Sequence, residues 1–479
     1  MKPKITPVPH KSIEESLYGV ASDRMLRHEA RQPTPSAPNM DPKYQEIQAL
    51  GELPPHPSAS EYAERRRRVA SQLADGAVAL IAAGEEARSS ERFRQINDFQ
   101  YLSGVEVPHA YLIIEGNGNT TLYLAERNHT RYVPSQAKWV CEKTGIETVE
   151  PIEALLPRLE SASHAYLPHL GEEGARVSWD NYNAWTRAIA ADPLDERRGR
   201  NAEVLHQLQS RYPELKIDDL SPILAEMRLI KSPSELALLK RAGELTALGT
   251  LAAMRATRPN CYEYELQAEL EHVFVLGGSR GVGYAPIIPG SENAGDPHYL
   301  ANRSLLKDGD IVLLDCAPDF RYYTSDIGRM WPVNGRFSEE QAALYGFVLA
   351  YHKALIEKIK PGAMKQEIQE AVAQEMRPVF EQWSFTSPEQ KETAEILFNF
   401  KGHISHGVGM CVHDVSQHES RPFEPGMVFA VDPMAWDDTN KTYYRVEDTV
   451  VITEYGCENL TASCPIEIED IEAVMAAGK

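Results

Sequence analysis

Apolar residues recur with two different periods along the first half of the chain. In residues 57–226, a helical repeat is followed by the strand-like run AVALIAAG, and AYLIIEGNGNTTLYLAE has the pattern of a hairpin that turns at Asn117-Gly118. The segment AWTRAIAADPLDERRG is predicted to be helical, and the basic run from Arg65 to Arg68 is interpreted as the solvated face of a helix. These patterns predict an amino-terminal α/β domain.

Longer helical repeats dominate the second half, before a strand-rich end. Ser232 and Glu235 have the spacing of a capping box at the start of a long helix. Helices are predicted over residues 234–256, 260–277, 338–359 and 364–382. Residues 227–479 are therefore predicted to form an α+β domain. Residues 1–56, rich in proline and polar residues, are interpreted as a tail or arm that holds little chemistry.

Composition narrows the class of protein. The chain has 479 residues, of which 42% are hydrophobic, and a formal net charge of −21. Such a length and apolar content predict a globular protein of two or three domains, and the acidic charge disfavours nucleic acid or an anionic membrane as a partner. The first residues lack the apolar stretch of a secretory signal, and the six cysteines form no CxxC pair. We therefore expect a cytoplasmic protein with reduced thiols.

Two aspartates stand in segments that otherwise have the pattern of buried strands. The run from Ile311 to Ala317 is apolar on both faces, and a turn centred on Phe320-Arg321 would pair Asp315 directly with Asp326. The neighbouring positions on the same faces carry no Lys or Arg: Leu313, Ala317, Thr324 and Gly328. A metal cation would neutralise such a pair, although this hairpin alone is equally compatible with ordinary hydrogen-bonded aspartates.

A second hairpin repeats the arrangement. A turn centred on Thr439-Asn440 places Asp432 opposite Glu447, again among apolar residues. Between the hairpins, the segment GHISHGVGMCVHDV contains His403, His406 and His413. Four carboxylates and one neutral imidazole balance the charge of two divalent cations, and this donor set suits Mn²⁺, with Co²⁺ or Zn²⁺ as less selective alternatives. Two ions about 3.5 to 4 Å apart can share and activate one water.

The order of these residues, within LLDCAP, TSDIGRMWPVNG, SHGVGMCVHDV, VFAVDP and YYRVEDTVVITEYGCENLT, resembles the proline-specific metallopeptidases of the pita-bread fold. The resemblance is greatest to bacterial aminopeptidase P and covers most of the chain, including FRQINDFQYLSGVEVPHAYLIIE and MRLIKSPSELALLKRAG. It implies a pita-bread catalytic domain over 227–479, preceded by a smaller α/β domain over 57–226.

The resemblance also implies roles for individual residues. Asp315 would bind one metal, Asp326 and Glu447 would bridge both metals, and His406 with Asp432 would bind the other. His298, His413 and Arg445 match the family positions that hold the substrate and the bridging carboxylate. At Asp432 the family usually has glutamate, and at Gly402 it often has histidine.

The implied activity is hydrolysis of the amino-terminal Xaa-Pro bond of peptides by a metal-bridging hydroxide. A prolidase, which is restricted to dipeptides, is the nearest alternative. A creatinase-type amidinohydrolase and a non-catalytic peptide-binding relative are the others. The expected partners are peptides with proline in the second position, and a homo-oligomer, either a dimer or a tetramer, is expected.

Overall fold

A computed structural model of the chain describes residues 42–86, 92–125, 137–170, 173–174, 178–296, 298–414, 421–437 and 442–478. Most of the predicted tail, up to residue 41, lies outside the described residues, and helix α1 (Pro42–Ala49) follows it. Among the helices that are described, none is long and apolar enough to cross a membrane.

A six-stranded mixed sheet organises the amino-terminal part. Its strands are β1 (Val78–Ala82), β2 (Tyr111–Glu115), β3 (Thr120–Leu124), β4 (Thr148–Pro151), β5 (His164–Leu167) and β6 (Lys216–Asp219), in the order β4-β3-β2-β1-β5-β6. The helices around it are α2 (Ala59–Ala70), α3 (Asn97–Ser103), α4 (Ala137–Thr144), α5 (Leu155–Glu160), α6 (Trp179–Ala191) and α7 (Arg200–Arg211). The hairpin predicted at Asn117-Gly118 is confirmed, since β2 and β3 are antiparallel neighbours. The helix predicted over 184–199 ends at Ala191, because Pro193 cannot continue it.

Two arginines that were predicted to be solvated are buried instead. Arg65 and Arg66 are 4% and 1% exposed, whereas the next two arginines of the run are exposed. The Arg65 guanidinium donates to the Tyr101 carbonyl at 3.0 Å, and that of Arg66 donates to the Leu102 and Thr144 carbonyls, each at 2.8 Å. The prediction is wrong at these two positions because the last carbonyls of α3 and α4 lack helical partners and take side-chain donors.

The carboxy-terminal part combines long helices with short strands. Its helices are α8 (Ser221–Leu229), α9 (Pro233–Ala256), α10 (Glu263–Leu276), α11 (Glu339–Lys358), α12 (Lys365–Gln382), α13 (Pro388–Glu395) and α14 (Ile468–Ala477). The four long predicted helices are confirmed, and the Ser232–Glu235 capping box makes both of its hydrogen bonds. The domain boundary expected between residues 226 and 227 falls inside α8, and it stays a prediction.

The strands of this part are β7 (Ile311–Asp315), β8 (Gly328–Pro332), β9 (Ile404–Gly407), β10 (Val428–Val431), β11 (Met434–Asp437), β12 (Thr442–Arg445), β13 (Asp448–Ile452) and β14 (Cys457–Asn459). They form a four-stranded sheet in the order β14-β13-β10-β9 and two ladders, β7-β8 and β11-β12. The predicted α+β class is confirmed.

One hydrophobic core is shared by the two parts. It includes Leu112 of β2 together with Leu238 of α9 and Val408, all of them fully buried. A buried charge cluster adjoins it: Arg228, 2% exposed, pairs with Asp98 at 2.9 Å, with Glu173 at 2.6 Å and with Asp414. The two parts are therefore packed against each other through both apolar and ionic contacts.

Candidate metal centre

The first predicted hairpin forms, but its register differs from the prediction. β7 and β8 pair Asp315 with Gly328 rather than with Asp326. The turn lies one residue later than predicted, at Arg321-Tyr322, where both residues have positive φ, 53° and 76°. Such a two-residue turn matches the right-handed twist of antiparallel strands. The prediction that the two aspartates pair directly across the strands is wrong.

A tyrosine connects the two aspartates instead. The Tyr284 hydroxyl oxygen lies 2.7 Å from Oδ1 of Asp315 and 2.7 Å from Oδ1 of Asp326. A hydroxyl has a single hydrogen, so it donates to only one of these carboxylates at a time. Tyr284 was not among the predicted site residues, because its local sequence has no feature that distinguishes it from a loop tyrosine.

The register of the second hairpin is confirmed. β11 and β12 pair Met434 with Arg445, and the same register holds between β10 and β13. Asp432 and Glu447 lie between these two ladders, where the shared register places them opposite each other. Their exposed fractions are 3% and 0%. Gly328 leaves room for the glutamate, since a Cβ there would lie 3.0 Å from the Glu447 Cβ.

Arg445 supplies a positive charge to both hairpins. Its Nη1 lies 2.5 Å from Asp315 Oδ2, its Nε lies 2.6 Å from Asp432 Oδ1, and its Nη2 lies 2.6 Å from Glu447 Oε2. The sequence argument considered only basic residues within the first hairpin and left a metal as the sole candidate. The structure corrects that step, because a guanidinium from the second hairpin reaches Asp315.

His406 joins this cluster from β9. Its Nδ1 lies 3.2 Å from the Gly407 carbonyl, which can only accept, so this nitrogen carries a hydrogen and a neutral ring keeps its lone pair on Nε2. Nε2 lies 3.3 Å from Asp326 Oδ2. This is the tautomer that binds metal through Nε2 while the other ring nitrogen is held by the protein.

Three side chains of the cluster fit a divalent ion. Ligand atoms of Asp326, His406 and Glu447 all lie within 4.8 Å of one another. Although Arg445 lies close by, neither oxygen of Glu447 accepts a hydrogen bond from the residues that the structure describes. Buried oxygens without hydrogen bonds are rare, and together with Nε2 of His406 they make a mixed donor set suited to Mn²⁺, Co²⁺ or Zn²⁺. The residues present therefore fit a metal centre.

Burial also governs the charge of these carboxylates. It raises the pKa of Asp315, Asp432 and Glu447, and the neighbouring acids raise it further, while Arg445 acts in the opposite direction. For Asp326 burial also raises the pKa, but the hydrogen bond and positive charge of the His406 ring in its protonated form outweigh burial and hold the pKa below its usual range. Arg445 thus opposes only part of the effect of burial and of the neighbouring acids, and a divalent cation would add further positive charge.

His413 lies at the edge of this cluster. Its ring centroid is 4.0 Å from that of His406, and its Nδ1 is 2.7 Å from Oδ2 of Asp180 in α6 of the amino-terminal part. Burial lowers the pKa of His413, but the hydrogen bond with Asp180 outweighs burial and raises it. Burial raises the pKa of Asp180, but the bonds with His413 and Ser178 hold that pKa well below its usual range. Asp180 was not predicted to be a site residue.

His298 is the one predicted site residue that the structure leaves exposed. Its backbone N–H donates to Asp296 Oδ1 at 3.0 Å, within a loop that follows the short helix Ser291–Gly295. Its side chain is thus not buried in the cluster of carboxylates, and its role in holding the substrate stays a prediction.

A buried glutamate holds the loop that carries His298. Glu263, at the start of α10, is 0% exposed. It accepts four hydrogen bonds of 2.8 to 2.9 Å, from the Gly290 N–H, Asn293 Nδ2, the Tyr299 hydroxyl and the Ser304 N–H. One carboxylate thus connects both ends of the loop.

Glu263→Ala should lower the free energy of unfolding by about 3 kcal/mol, because it leaves several buried donors without an acceptor. Urea denaturation measures this change. Glu263→Gln retains the side-chain volume but replaces one acceptor oxygen with an NH2 group, which faces the hydrogen-bond donors of the loop. We therefore expect a stability between those of the wild type and the alanine variant. Unchanged stability in the alanine variant would show that these hydrogen bonds contribute nothing to the fold.

Comparison with known families decides the class of this site. Residues 237–454 match metallopeptidase family M24, and residues 62–165 match the amino-terminal domain of aminopeptidase P. The Xaa-Pro aminopeptidase of Escherichia coli (strain K12) is 33% identical over 444 residues, which cover 88% of this chain and 99% of that protein. The chain belongs to metallopeptidase family M24.

Solved structures agree with this assignment. E. coli aminopeptidase P with the inhibitor Pro-Leu has a TM-score of 0.69 to this M24 chain at 28% identity, covering 88% of this chain and 99% of that one. Zinc-substituted E. coli aminopeptidase P in complex with product has a TM-score of 0.68 at 29% identity, covering 89% of this chain and 100% of that one. The predicted pita-bread domain, preceded by an aminopeptidase P-type domain, is confirmed.

Proposed function

We propose that this M24 chain is a metal-dependent aminopeptidase that removes the first residue of peptides with proline in the second position. The observation that supports this most strongly is the buried group of Asp326, His406 and Glu447, whose ligand atoms lie within 4.8 Å of one another and in which neither Glu447 oxygen accepts a hydrogen bond from a described residue, although Oε2 is paired with Arg445. The identity with E. coli Xaa-Pro aminopeptidase along nearly its whole length supports the substrate class.

Two divalent ions are proposed for the site. Asp315 would bind one, His406 and Asp432 the other, and Asp326 with Glu447 would bridge them. When bound, the ions would polarise the scissile carbonyl and lower the pKa of the attacking water. Mn²⁺ is the first choice on donor type, with Co²⁺ and Zn²⁺ as alternatives.

The chain's own side chains would orient the peptide and move the proton. His413, whose Nδ1 is held by Asp180, would in its protonated form donate from Nε2 to the scissile carbonyl oxygen as negative charge develops there. Asp432 would take the proton from the attacking water and pass it to the proline nitrogen, which leaves as an amine. Arg445 holds the carboxylates of Asp432 and Asp315 in place by charge-assisted hydrogen bonds. His298 would contact the substrate from its exposed loop.

Proline release from Xaa-Pro-Xaa tripeptides and from Xaa-Pro dipeptides, measured together with metal content, tests the proposal. We expect cleavage of the tripeptides, loss of activity after chelation and recovery with Mn²⁺. Cleavage restricted to dipeptides would identify a prolidase. Bound metal without hydrolysis of either substrate would leave only a peptide-binding role.

Asp432 stands where relatives usually have glutamate, and its short carboxylate is bound by Arg445 through two contacts, Nε at 2.6 Å and Nη2 at 3.1 Å. Asp432→Glu should lower kcat/KM about a hundredfold, because the longer side chain displaces the guanidinium and misplaces the carboxylate on the order of 1 Å. Steady-state kinetics and metal analysis of the purified variant measure this.

The matched control is Asp308→Glu, which makes the same change at an exposed position. It should leave kcat/KM unchanged. A large rise in kcat/KM for Asp432→Glu would contradict the expectation, since it would mean that the native side chain is too short for efficient proton transfer.

A cytoplasmic location and a dimeric or tetrameric assembly also belong to the proposal. Light scattering of the purified protein tests the assembly. Neither nucleic acid nor a membrane is proposed as a partner.

A further inference from the structure

The contact between Asp180 and His413 crosses from one domain to the other. Both side chains are about one-third exposed, 35% for Asp180 and 31% for His413, so a substrate can reach the histidine. Asp180 lies in the first turn of α6, where the helix dipole favours a carboxylate. Ser178 Oγ donates to Asp180 Oδ1 at 2.5 Å, and His413 Nδ1 lies 2.7 Å from Oδ2. Each oxygen of this carboxylate is therefore held by a different partner.

This contact determines which nitrogen of His413 is available. An ionised carboxylate only accepts hydrogen bonds, so Nδ1 carries the hydrogen and Nε2 is the nitrogen left for a ligand. His406 packs against the ring at 4.0 Å between centroids. If Asp180 were removed, the ring would be free to rotate about its Cβ–Cγ bond, and the substrate would no longer meet Nε2 in a fixed orientation.

Other contacts already hold the backbone around His413. Arg94 Nη2 donates to the Met410 carbonyl at 3.4 Å, and Asn97 Nδ2 donates to Cys411 Sγ at 2.8 Å. The next residue, Asp414, is paired with two buried cations of the domain junction. Because these contacts are independent of Asp180, its carboxylate is not needed to place the segment, and its specific contribution is to the imidazole ring.

We propose that Asp180 is a positioning residue of the peptidase reaction, contributed by the amino-terminal domain, which orients the His413 ring so that Nε2 faces the scissile carbonyl. This inference rests on the proposed function, because it takes the role of His413 from there. It makes the amino-terminal domain a participant in the chemical step.

A double-mutant cycle tests the inference on the full-length, metal-loaded enzyme. Asp180→Ala, His413→Ala and the double variant are compared on one Xaa-Pro-Xaa tripeptide, with metal content and Tm recorded for each. We expect Asp180→Ala to lower kcat roughly tenfold to a hundredfold, with a smaller change in KM. In the His413→Ala background the same substitution should cause no further loss. Asp180→Asn keeps the side-chain shape but removes the charge and can present its amide nitrogen to Nδ1, so it should recover little of the lost kcat.

Arg187→Ala is the control, since it alters the same helix at an exposed residue, and it should leave kcat and KM unchanged. Additive losses in the double variant would overturn the inference, because Asp180 would then act independently of His413. If Asp180→Ala is fully active while His413→Ala is impaired, the inference about Asp180 is overturned, but the proposed role of His413 stands. Full activity of His413→Ala would overturn both the inference and the role of His413. If Asp180→Ala fails to fold, the cycle is run with Asp180→Asn and Asp180→Ser. Losses that add to that of His413→Ala would again overturn the inference, and losses that do not add would support it.

Discussion

Replacing Glu447 with alanine should remove both the bound metal and the peptidase activity. Its two oxygens accept no hydrogen bond from any described residue, although Oε2 is paired with Arg445 Nη2 at 2.6 Å, and the carboxylate lies beside ligand atoms of Asp326 and His406, where a metal would bind it. Without this carboxylate the donor set loses its bridge and the remaining acids lose their shared cation. We expect kcat/KM to fall by at least roughly a thousandfold. Elemental analysis and proline release measure the two effects.

Asp326→Ala should behave in the same way, because this carboxylate is the other proposed bridge. Glu458→Ala is the matched control: this glutamate lies on β14 and forms a surface pair with Lys240 at 2.8 Å. It should leave both metal content and kinetics unchanged. Two bound metals and near-normal turnover in either site variant would disprove the bridging assignment.

Replacing His413 with alanine should slow hydrolysis without removing the metal. Its Nδ1 is engaged by Asp180, and the group of described side chains that fits a metal does not include it. If Nε2 binds the carbonyl oxygen as charge develops, its loss should lower kcat roughly a hundredfold to a thousandfold. KM should change less, because the interaction strengthens in the transition state.

The control for this variant is His206→Ala, at an exposed position of α7. It should have wild-type kinetics. A parallel loss of metal in His413→Ala would instead identify His413 as a ligand or as a support for His406, whose ring it contacts.

The two hairpins show what sequence patterns can determine. The register of the second was predicted correctly, since pairing Asp432 with Glu447 gives the observed register of β11 with β12 and of β10 with β13, while the turn at Thr439-Asn440 lies outside the described residues. The first was misplaced by one residue. Its turn uses positive φ at Arg321-Tyr322, and neither residue type favours that conformation, so the sequence gives no indication of the turn.

The candidate site was predictable as a set of residues but not as a set of contacts. The family pattern led to the five proposed ligands, and the structure buries four of them fully and places His406 beside them. The contacts of Arg445 with Asp315, of Tyr284 with both aspartates and of Asp180 with His413 were not predicted, because each joins segments that are distant in sequence and meet only in the folded chain. Such contacts depend on tertiary packing and leave no local periodicity.

The hydrophobic core that both domains share constrains how this chain can evolve. Leu112 on one side and Leu238 and Val408 on the other fill one continuous volume, so a change of side-chain size in either domain is felt in the other. Substitutions at these positions should therefore be compensated across the junction. A chimera could join a relative's amino-terminal domain to residues 227–479. The two sides of its domain junction would then come from proteins with different core side chains. Exchange of one domain alone is therefore expected to leave cavities or steric overlap in this core.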